Sequence, residues 1–423
     1  MHIVHVVQLY HPVSSGSVQY FVEIGRRLAA EGHTVTVLTT TVYDLEAFWQ
    51  AGRREIDVPY EFDHGCHIHR FPIVRFGRHP LIYPVLRRLL VELGRIGAPV
   101  AWVRWLAALT PKSPAMVDWL TTHIADIDVI HVTNVTLDSL VHPIVDLAVA
   151  HHIPVIMTPF IHLGEVRDPA FVRYYSMPQQ LDLLRRSQAV LTMTTREKDF
   201  LQGQGIDAQR MHVVGAGVTP IHLQHGDAVA FRQRHNITAP IVLQVGAMAR
   251  DKGTITTVQA MQQLWQTGEE AELVLIGAPL SHFTDYMNQL PQEMRARIHV
   301  LAYASDAEKR DAYAAASLFV MPSRTDSFGI VFLEAWVNML PVIGADAGGI
   351  PDVIDHNHDG LLVEFDNVER LADAIKTLLH NPPLARSFAQ NGHDKVLSTM
   401  TWEHVYARIR TLVVQHANAP TDH

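Results

Sequence analysis

Two stretches of the chain combine cations, acids and glycines at spacings that could hold an anion. In Leu243–Gly253, LQVGAMARDKG, an apolar run stops at Gly246, and Arg250 and Lys252 follow before the next helix-like segment. Cations at the carboxyl end of a strand suit an anionic ligand, although the same pair also fits an ordinary exposed helix start. In Met321–Ile354, MPSRTDSFGIVFLEAWVNMLPVIGADAGGIPDVI, a strand-like run ends at Pro322, a polar loop carries Asp326 and Ser327, and a helix is expected from about Phe328. The first N–H groups of that helix, on Gly329, Ile330 and Val331, would lack intrahelical acceptors and would point where the helix dipole favours an anion. A diphosphate is the natural occupant. Asp326 could accept hydrogen bonds from sugar hydroxyls and Glu334 could hold a ribose diol. Equally, Asp326 fits an N-terminal cap and Glu334 a solvated helix charge. Near the start of the chain, Ser14-Ser15-Gly16 opens a helix with residues small enough for backbone to approach a phosphate.

These residues need strands and helices to bring them together. Met1–Leu9 is a short apolar run, and Val18, Phe21, Val22 and Leu28 recur at helical spacing before Gly32. Thr34–Thr40 is β-branched, which completes a βαβ unit and implies a parallel sheet. Strand-like runs continue at Val129–Val132, Pro154–Thr158, Ala189–Thr194 and Met211–Val214. A second series follows: strands at Pro240–Gly246, Ala271–Gly277, Ile298–Leu301, Ser317–Pro322 and Pro341–Gly344, with a helix at Thr254–Gln266. The expected fold class is therefore α/β, two facing Rossmann-like domains with a cleft between them. The expected boundaries are 1–215 and 216–399, with a last helix at about 400–423 returning to the first domain. Ligands of open α/β sheets sit beyond the carboxyl ends of the strands, where the loops above lie.

The totals bound the function. The 423 residues are enough for two or three domains, and 48% apolar with 18% charged residues is globular composition. A net charge of −9 argues against nucleic acid as a partner. One cysteine, Cys66, excludes an internal disulfide and a thiolate metal cluster, and the start of the chain lacks the pattern of a signal peptide. No apolar run approaches the roughly 18 residues needed to span a bilayer. A cytoplasmic location is expected. The stretch Arg70–Lys112 differs from the rest: Arg70, Arg75, Arg78, Arg87, Arg88, Arg95, Arg104 and Lys112 face one acid, Glu92, with Trp102 and Trp105 among aliphatics. It fits either peripheral contact with an anionic inner membrane face or a basic helical rim packed on the first domain.

In their order, the motifs resemble those of the family 4 retaining glycosyltransferases of the GT-B fold. The matching residues are Glu31-Gly32-His33-Thr34-Val35 after the first helix, then Val245-Gly246, Lys252-Gly253, Ser323, Ser327-Phe328-Gly329, Glu334-Ala335, Pro341-Val342 and Gly348-Gly349-Ile350-Pro351. The resemblance covers nearly all of the chain, most weakly at about residues 45–125. It implies that Lys252 neutralises the diphosphate of a UDP- or GDP-linked sugar donor and that Glu334 binds the ribose. Asp326 would contact the donor sugar, and Gly16 would let backbone meet the phosphates. His162, in Thr158-Pro159-Phe160-Ile161-His162, matches a histidine that the family places near sugar and acceptor. The implied catalytic set is His162, Lys252 and Asp326. The implied donor site comprises Gly16, Arg250, Lys252, Ser327, Phe328, Gly329, Ile330, Val331 and Glu334, with the base near Tyr303. Two positions depart from the family: Ala247 stands where arginine is usual, and Asp326 where glutamate is.

The resemblance implies transfer of a hexose to a hydroxyl of a sugar or lipid acceptor, with retention of configuration and without a metal or other cofactor. Asp126-Ile127-Asp128 looks like a metal-binding acid pair but precedes a strand directly, and it reads as structural. Two other readings keep the same motifs: a non-catalytic or weakened nucleotide-sugar-binding protein, with Ala247 as the mark of decay, or another enzyme of this fold such as a nucleotide-sugar epimerase.

Overall fold

A computed structural model describes residues 1–13, 15–77, 82–165 and 169–418; Ser14 and Arg78 lie outside the described residues. The chain divides into two compact units, 1–161 with 170–214 and the chain from Tyr406, and His162–Pro169 with Gly215–Val405. Each unit is built on one sheet.

The first sheet contains β1 (His2–Val6), β2 (Thr34–Thr40), β3 (Tyr60–Asp63), β4 (Cys66–Phe71), β5 (Val129–Thr133), β6 (Val155–Thr158), β7 (Ala189–Thr192) and β8 (Met211–Val213), in the order β3-β4-β2-β1-β5-β6-β7-β8. All neighbours are parallel except β3 and β4. Every residue of β5, β6 and β7 is buried, which is why those strands read as mainly apolar runs rather than as an alternation. Between β1 and β2 runs helix α1 (Gly16–Ala30), which buries Val18, Phe21, Ile24 and Leu28 against the sheet and is capped by Ser15, whose hydroxyl accepts from the Val18 amide. The β3–β4 hairpin had not been expected. β3 alternates exposed and half-buried residues and β4 buried and half-buried ones, and Gly65 turns between them at φ +83°.

Two helices of the basic stretch follow, α2 (Ile82–Arg95) and α3 (Val100–Ala107). Tyr83, Leu86, Leu90, Val103 and Ala107 form a small core of their own with Met177. Not all the basic residues of this stretch are surface charges. Arg70 is 3% exposed and donates to the carbonyls of Val58 and His11 and to Glu61. Arg75 donates to the Ala47 carbonyl, Arg87 lies over Trp49 and Tyr174, and Arg104 pairs with Asp146 at 2.7 Å. Asp128 accepts from the His2 amide at 2.7 Å, and the Asp126 carbonyl meets the His2 ring at 3.0 Å, so this pair ties β1 to the edge of β5.

The second sheet contains β9 (Ile241–Val245), β10 (Glu272–Ile276), β11 (Ile298–Leu301), β12 (Leu318–Met321), β13 (Val342–Ala345) and β14 (Gly360–Val363), all parallel, in the order β11-β10-β9-β12-β13-β14. Helix α4 (Thr254–Gln266) packs Val258, Met261 and Leu264 into the same core as Val242, Leu273, Val320 and Ile343. The order reverses between β9 and β12. At such a switch point the two outgoing loops diverge and leave a crevice at the carboxyl ends of the strands. Helices α5 (Asp306–Ala315) and α6 (Ile330–Val337) flank β12 in sequence. The last helix, α7 (Trp402–Ala417), passes from the second unit to the first at Tyr406. Within the first unit, Arg408 donates to the Val214 carbonyl and Arg410 pairs with Glu31.

Candidate active site

The two loops that leave the second sheet at its switch point carry Lys252 and Asp326. After β9, Gly246 adopts φ +150° and the chain makes one 3₁₀ turn, Arg250–Lys252, before Gly253 enters the left-handed region at φ +68°. A Cβ on Gly253 would lie 2.3 Å from the Pro322 carbonyl oxygen, so only glycine lets this loop rest on the exit of β12. Gln244, 2% exposed, donates to the Lys252 carbonyl at 3.1 Å and to Thr254 Oγ1 at 3.0 Å. It thus holds the Lys252 backbone from beneath.

The second loop is bound to the first. Ser323 donates to the Asp251 carbonyl and accepts from the Thr325 amide at 3.2 Å. The Arg324 guanidinium meets the Asp251 carboxylate at 2.7 Å and Glu165 at 3.3 Å. Further along, the Gly349 amide donates to the Asp326 carbonyl at 2.9 Å and the Gly348 amide to the Gly164 carbonyl at 2.8 Å. At Gly348, φ is +58° and a Cβ would stand 2.5 Å from the Asp326 carbonyl oxygen. The Gly348-Gly349 pair is therefore a backbone cradle for Asp326.

Within this frame Lys252 Nζ lies 2.9 Å from Asp326 Oδ1. The other carboxylate oxygen, Oδ2, is buried and has no hydrogen-bond partner among the described residues. Burial alone would raise the Asp326 carboxyl, but the Lys252 ammonium, helped by Ser323 and His162, outweighs it and holds the group below the usual carboxylate range. His162 belongs to the segment that clusters with this unit, and its Nδ1–H donates to the Thr325 carbonyl. Burial, reinforced by the Lys252 charge, lowers the His162 pKa, against the opposing pull of Asp326 and the Thr325 carbonyl. The ring is a neutral imidazole at pH 7, with the tautomer set by Thr325.

Helix α6 starts two residues later than expected. Gly329 caps it at φ +93° with no side-chain bond, so Asp326 is not the cap. The amides of Gly329, Ile330 and Val331 have no protein acceptor among the described residues. They are oriented donors at the positive end of the helix. Phe328 is buried and Ser327 half-buried beside them. Glu334 is no solvated charge either: it is 4% exposed and bonded by Lys309 and Tyr313. Arg250 is exposed, with its amide donating to His282 Nε2 at 2.8 Å, and Ala247 is exposed as well. Tyr303 is 92% exposed. Gly16 lies in the first unit, where it is the first residue of α1. Gln244, Arg324, Lys309 and Tyr313 were not singled out in the sequence.

Among the described residues, one group of histidine and carboxylate side chains is close enough to share an ion: Asp355, His358 and Asp359. Lys395 Nζ stands 2.8 Å from both Asp355 Oδ2 and Asp359 Oδ2, so an ammonium already neutralises that cluster.

The family model for glycosyl transferases group 1 matches residues 227–395, and that for the glycosyl transferase 4-like domain matches residues 15–217. The chain is 30% identical over 217 residues to the alpha-maltose-1-phosphate synthase of Mycolicibacterium smegmatis, covering 47% of this chain and 55% of that protein. It is 30% identical over 189 residues to a GDP-mannose-dependent phosphatidylinositol monomannoside mannosyltransferase of Mycobacterium tuberculosis, covering 42% of this chain and 48% of that protein. The chain thus spans about half the length of the curated relatives it matches. Among solved structures, sucrose-phosphate synthase from Thermosynechococcus elongatus superposes with a TM-score of 0.74 at 20% identity, over 98% of both chains. HepE of Anabaena, solved with UDP-glucose, gives 0.73 at 16% identity, over 98% of this chain and 100% of that one. With the two models matching consecutive parts of the sequence, and the fold shared along its whole length, the chain belongs to the family 4-like glycosyltransferases of the GT-B fold.

Proposed function

We propose that the protein transfers a hexose from a UDP- or GDP-linked sugar to an acceptor hydroxyl, with retention of anomeric configuration and without a metal. The observation that carries this reading is the meeting of Lys252, Asp326 and His162 at the carboxyl ends of β9 and β12. Lys252 and the free amides at the start of α6 would take the diphosphate, whose charge grows as the sugar bond breaks; fixed donors aimed at developing charge lower that barrier without reorganising. Asp326 Oδ2, a buried acceptor without a donor, would take a hydroxyl of the sugar, since leaving it bare is costly. His162 would face the same sugar. The departing diphosphate itself would receive the acceptor's proton.

The test is release of free nucleotide from UDP-, GDP- and ADP-sugars, with and without sugar and lipid acceptors, in the presence of a chelator. Product NMR then reads the anomeric configuration. Turnover that survives chelation with a retained anomer supports the reading. Absence of both binding and turnover for every donor, with Glu334→Ala changing nothing, would overturn it.

A peripheral contact with anionic membrane is a second part of the proposal. It is favoured by Val85 and Leu89 on α2, Ile96 just beyond it, and Trp102 and Trp105 on α3, which are 65%, 45%, 71%, 70% and 73% exposed. Exposed tryptophans three residues apart on one helix, near the exposed Arg88, have the composition of an interfacial helix. Among the described residues no helix is long and apolar enough to cross a membrane.

A further inference from the structure

Glu334 does not stand alone in the nucleotide site. Lys309 Nζ lies 3.0 Å from its Oε1 and 3.2 Å from its Oε2, and the Tyr313 hydroxyl donates to Oε2 at 2.8 Å. Lys309 and Tyr313 are four residues apart on α5, so they share one face of that helix and approach the carboxylate together. Tyr313 is fully buried, whereas the Lys309 side chain keeps 24% of its exposure.

The hydrogen-bond inventory of this group is incomplete. An ammonium has three N–H donors and a carboxylate about four acceptor positions. Two donors of Lys309 are directed at Glu334, and the carboxylate receives Lys309 on both oxygens and Tyr313 on Oε2 alone. That leaves one N–H on Lys309 and one acceptor position on Oε1, side by side. A vicinal diol offers the complement: one hydroxyl can donate to Oε1 while a hydroxyl oxygen accepts from Nζ. A bare carboxylate could only accept, and a buried anion beside a diphosphate would repel it. Lys309 removes that repulsion as it supplies the donor.

We infer that Lys309 is a specificity-determining residue of the nucleotide site, the donor half of an ammonium–carboxylate pair with Glu334 that reads the ribose diol. This rests on the proposed reading of the site as one for a nucleoside diphosphate. Tyr313 is the positioning residue: burial, with Glu334 beside it, holds its phenol protonated and so always a donor to Oε2.

The experiment is equilibrium titration of the whole chain with UDP and GDP and with their 2′-deoxy and 3′-deoxy analogues, for the natural protein, Lys309→Met, Lys309→Gln and Lys309→Arg. Each ratio of ribo to deoxy affinity is measured on one preparation, so partial misfolding of a variant does not enter it. The natural protein should favour the ribonucleotide by at least about tenfold over one deoxy analogue. Lys309→Met and Lys309→Gln should weaken ribonucleotide binding about 10- to 100-fold and bring the ratio near one, as expected for loss of a charged hydrogen bond. Lys309→Arg should keep most of the preference. A natural ratio near one, or a ratio unchanged in both Lys309→Met and Lys309→Gln, would overturn the role of Lys309 while leaving the nucleotide site intact. If the natural protein binds no nucleoside diphosphate at all, the reading of the site fails first and this inference with it.

Discussion

Lys252 Nζ and Asp326 Oδ1 stand 2.9 Å apart, so the cation proposed to meet the diphosphate is held by the carboxylate proposed to meet the sugar. The pair is part-buried, with its two side chains 25% and 18% exposed. Its significance is competition: a diphosphate must draw Lys252 away from Asp326 or share it.

The two partners should therefore separate when substituted. Lys252→Met should raise the Kd for the nucleoside diphosphate about 10- to 100-fold, the loss of a charged hydrogen bond. Asp326→Asn leaves the cation without its competitor, so nucleotide should bind as tightly as before or more tightly while transfer slows about 100-fold. Lys252→Met also leaves burial as the dominant influence on Asp326, raising its pKa. The acid limb of any residual activity should then move to higher pH. Calorimetry for binding and nucleotide release for turnover read these effects; equal loss of affinity in both variants would refute the division of roles.

Gly253 offers a test of the loop that carries Lys252. Alanine there meets both a left-handed backbone at φ +68° and the Pro322 carbonyl oxygen at 2.3 Å. Gly253→Ala should cost more than about 1 kcal/mol of stability. Because the clash pushes the loop off β12, nucleotide affinity should fall at least about tenfold. A melting curve and a titration suffice, and a variant as stable as the natural chain would show that the loop does not rest on β12.

The first unit should lose stability in acid. His5, His131 and His142 are 0%, 0% and 6% exposed. Burial lowers His5 to about 3 and His142 to about 4, and His131 lies well below its ordinary value, through burial and then His5. In the unfolded chain these rings bind protons below about pH 6.5. Their contribution is therefore complete above pH 6.5 and is lost as pH falls toward 4. Glu197 and Asp138 oppose this. Burial raises them to about 7 and about 6, so they are protonated in the fold where the unfolded chain has released its protons. The net loss between pH 7 and 5 is on the order of 2 kcal/mol. Chemical denaturation at the two pH values measures it, and Glu197→Gln should steepen the loss. A stability that rises on acidification to pH 5 would contradict the sign.

Much of this arrangement was legible in the sequence because its signals are local. The strands β5, β6, β9 and β12 are buried on both faces and appear as short apolar runs, and the helix Thr254–Gln266 has its expected bounds. Lys252 and Asp326 are legible because each lies in the loop that leaves a strand. What escaped depends on contacts between distant residues. Arg324 meets Glu165 from 159 positions away, and Lys309 meets Glu334 from 25. Neither acid–base pair has a spacing that a helix or strand would produce. Glu334 was placed correctly on its helix, but its burial depends on α5, which no periodicity links to α6. The β3–β4 hairpin was missed because its polar, histidine-bearing residues hide a strand alternation on a sheet edge.

The exposed face of α2 and α3 makes the last prediction. Of the eight basic residues in Arg70–Lys112, Arg70, Arg75, Arg87 and Arg104 are committed to partners within the first unit. Arg95 pairs with Glu92 at 2.9 Å. Charge alone is thus a weaker anchor than the sequence suggests, and Trp102 with Trp105 must supply most of the affinity through burial of their rings. The full chain should float with vesicles containing anionic lipid and less well with neutral ones. The double variant Trp102→Ala, Trp105→Ala should abolish flotation, whereas Arg88→Ala should weaken it only severalfold and mainly at low salt, because surface charge acts over about one Debye length. Nucleotide release from the donor in the presence of a soluble acceptor should be unchanged in both variants. Flotation that persists without the two tryptophans would remove the membrane from the proposal.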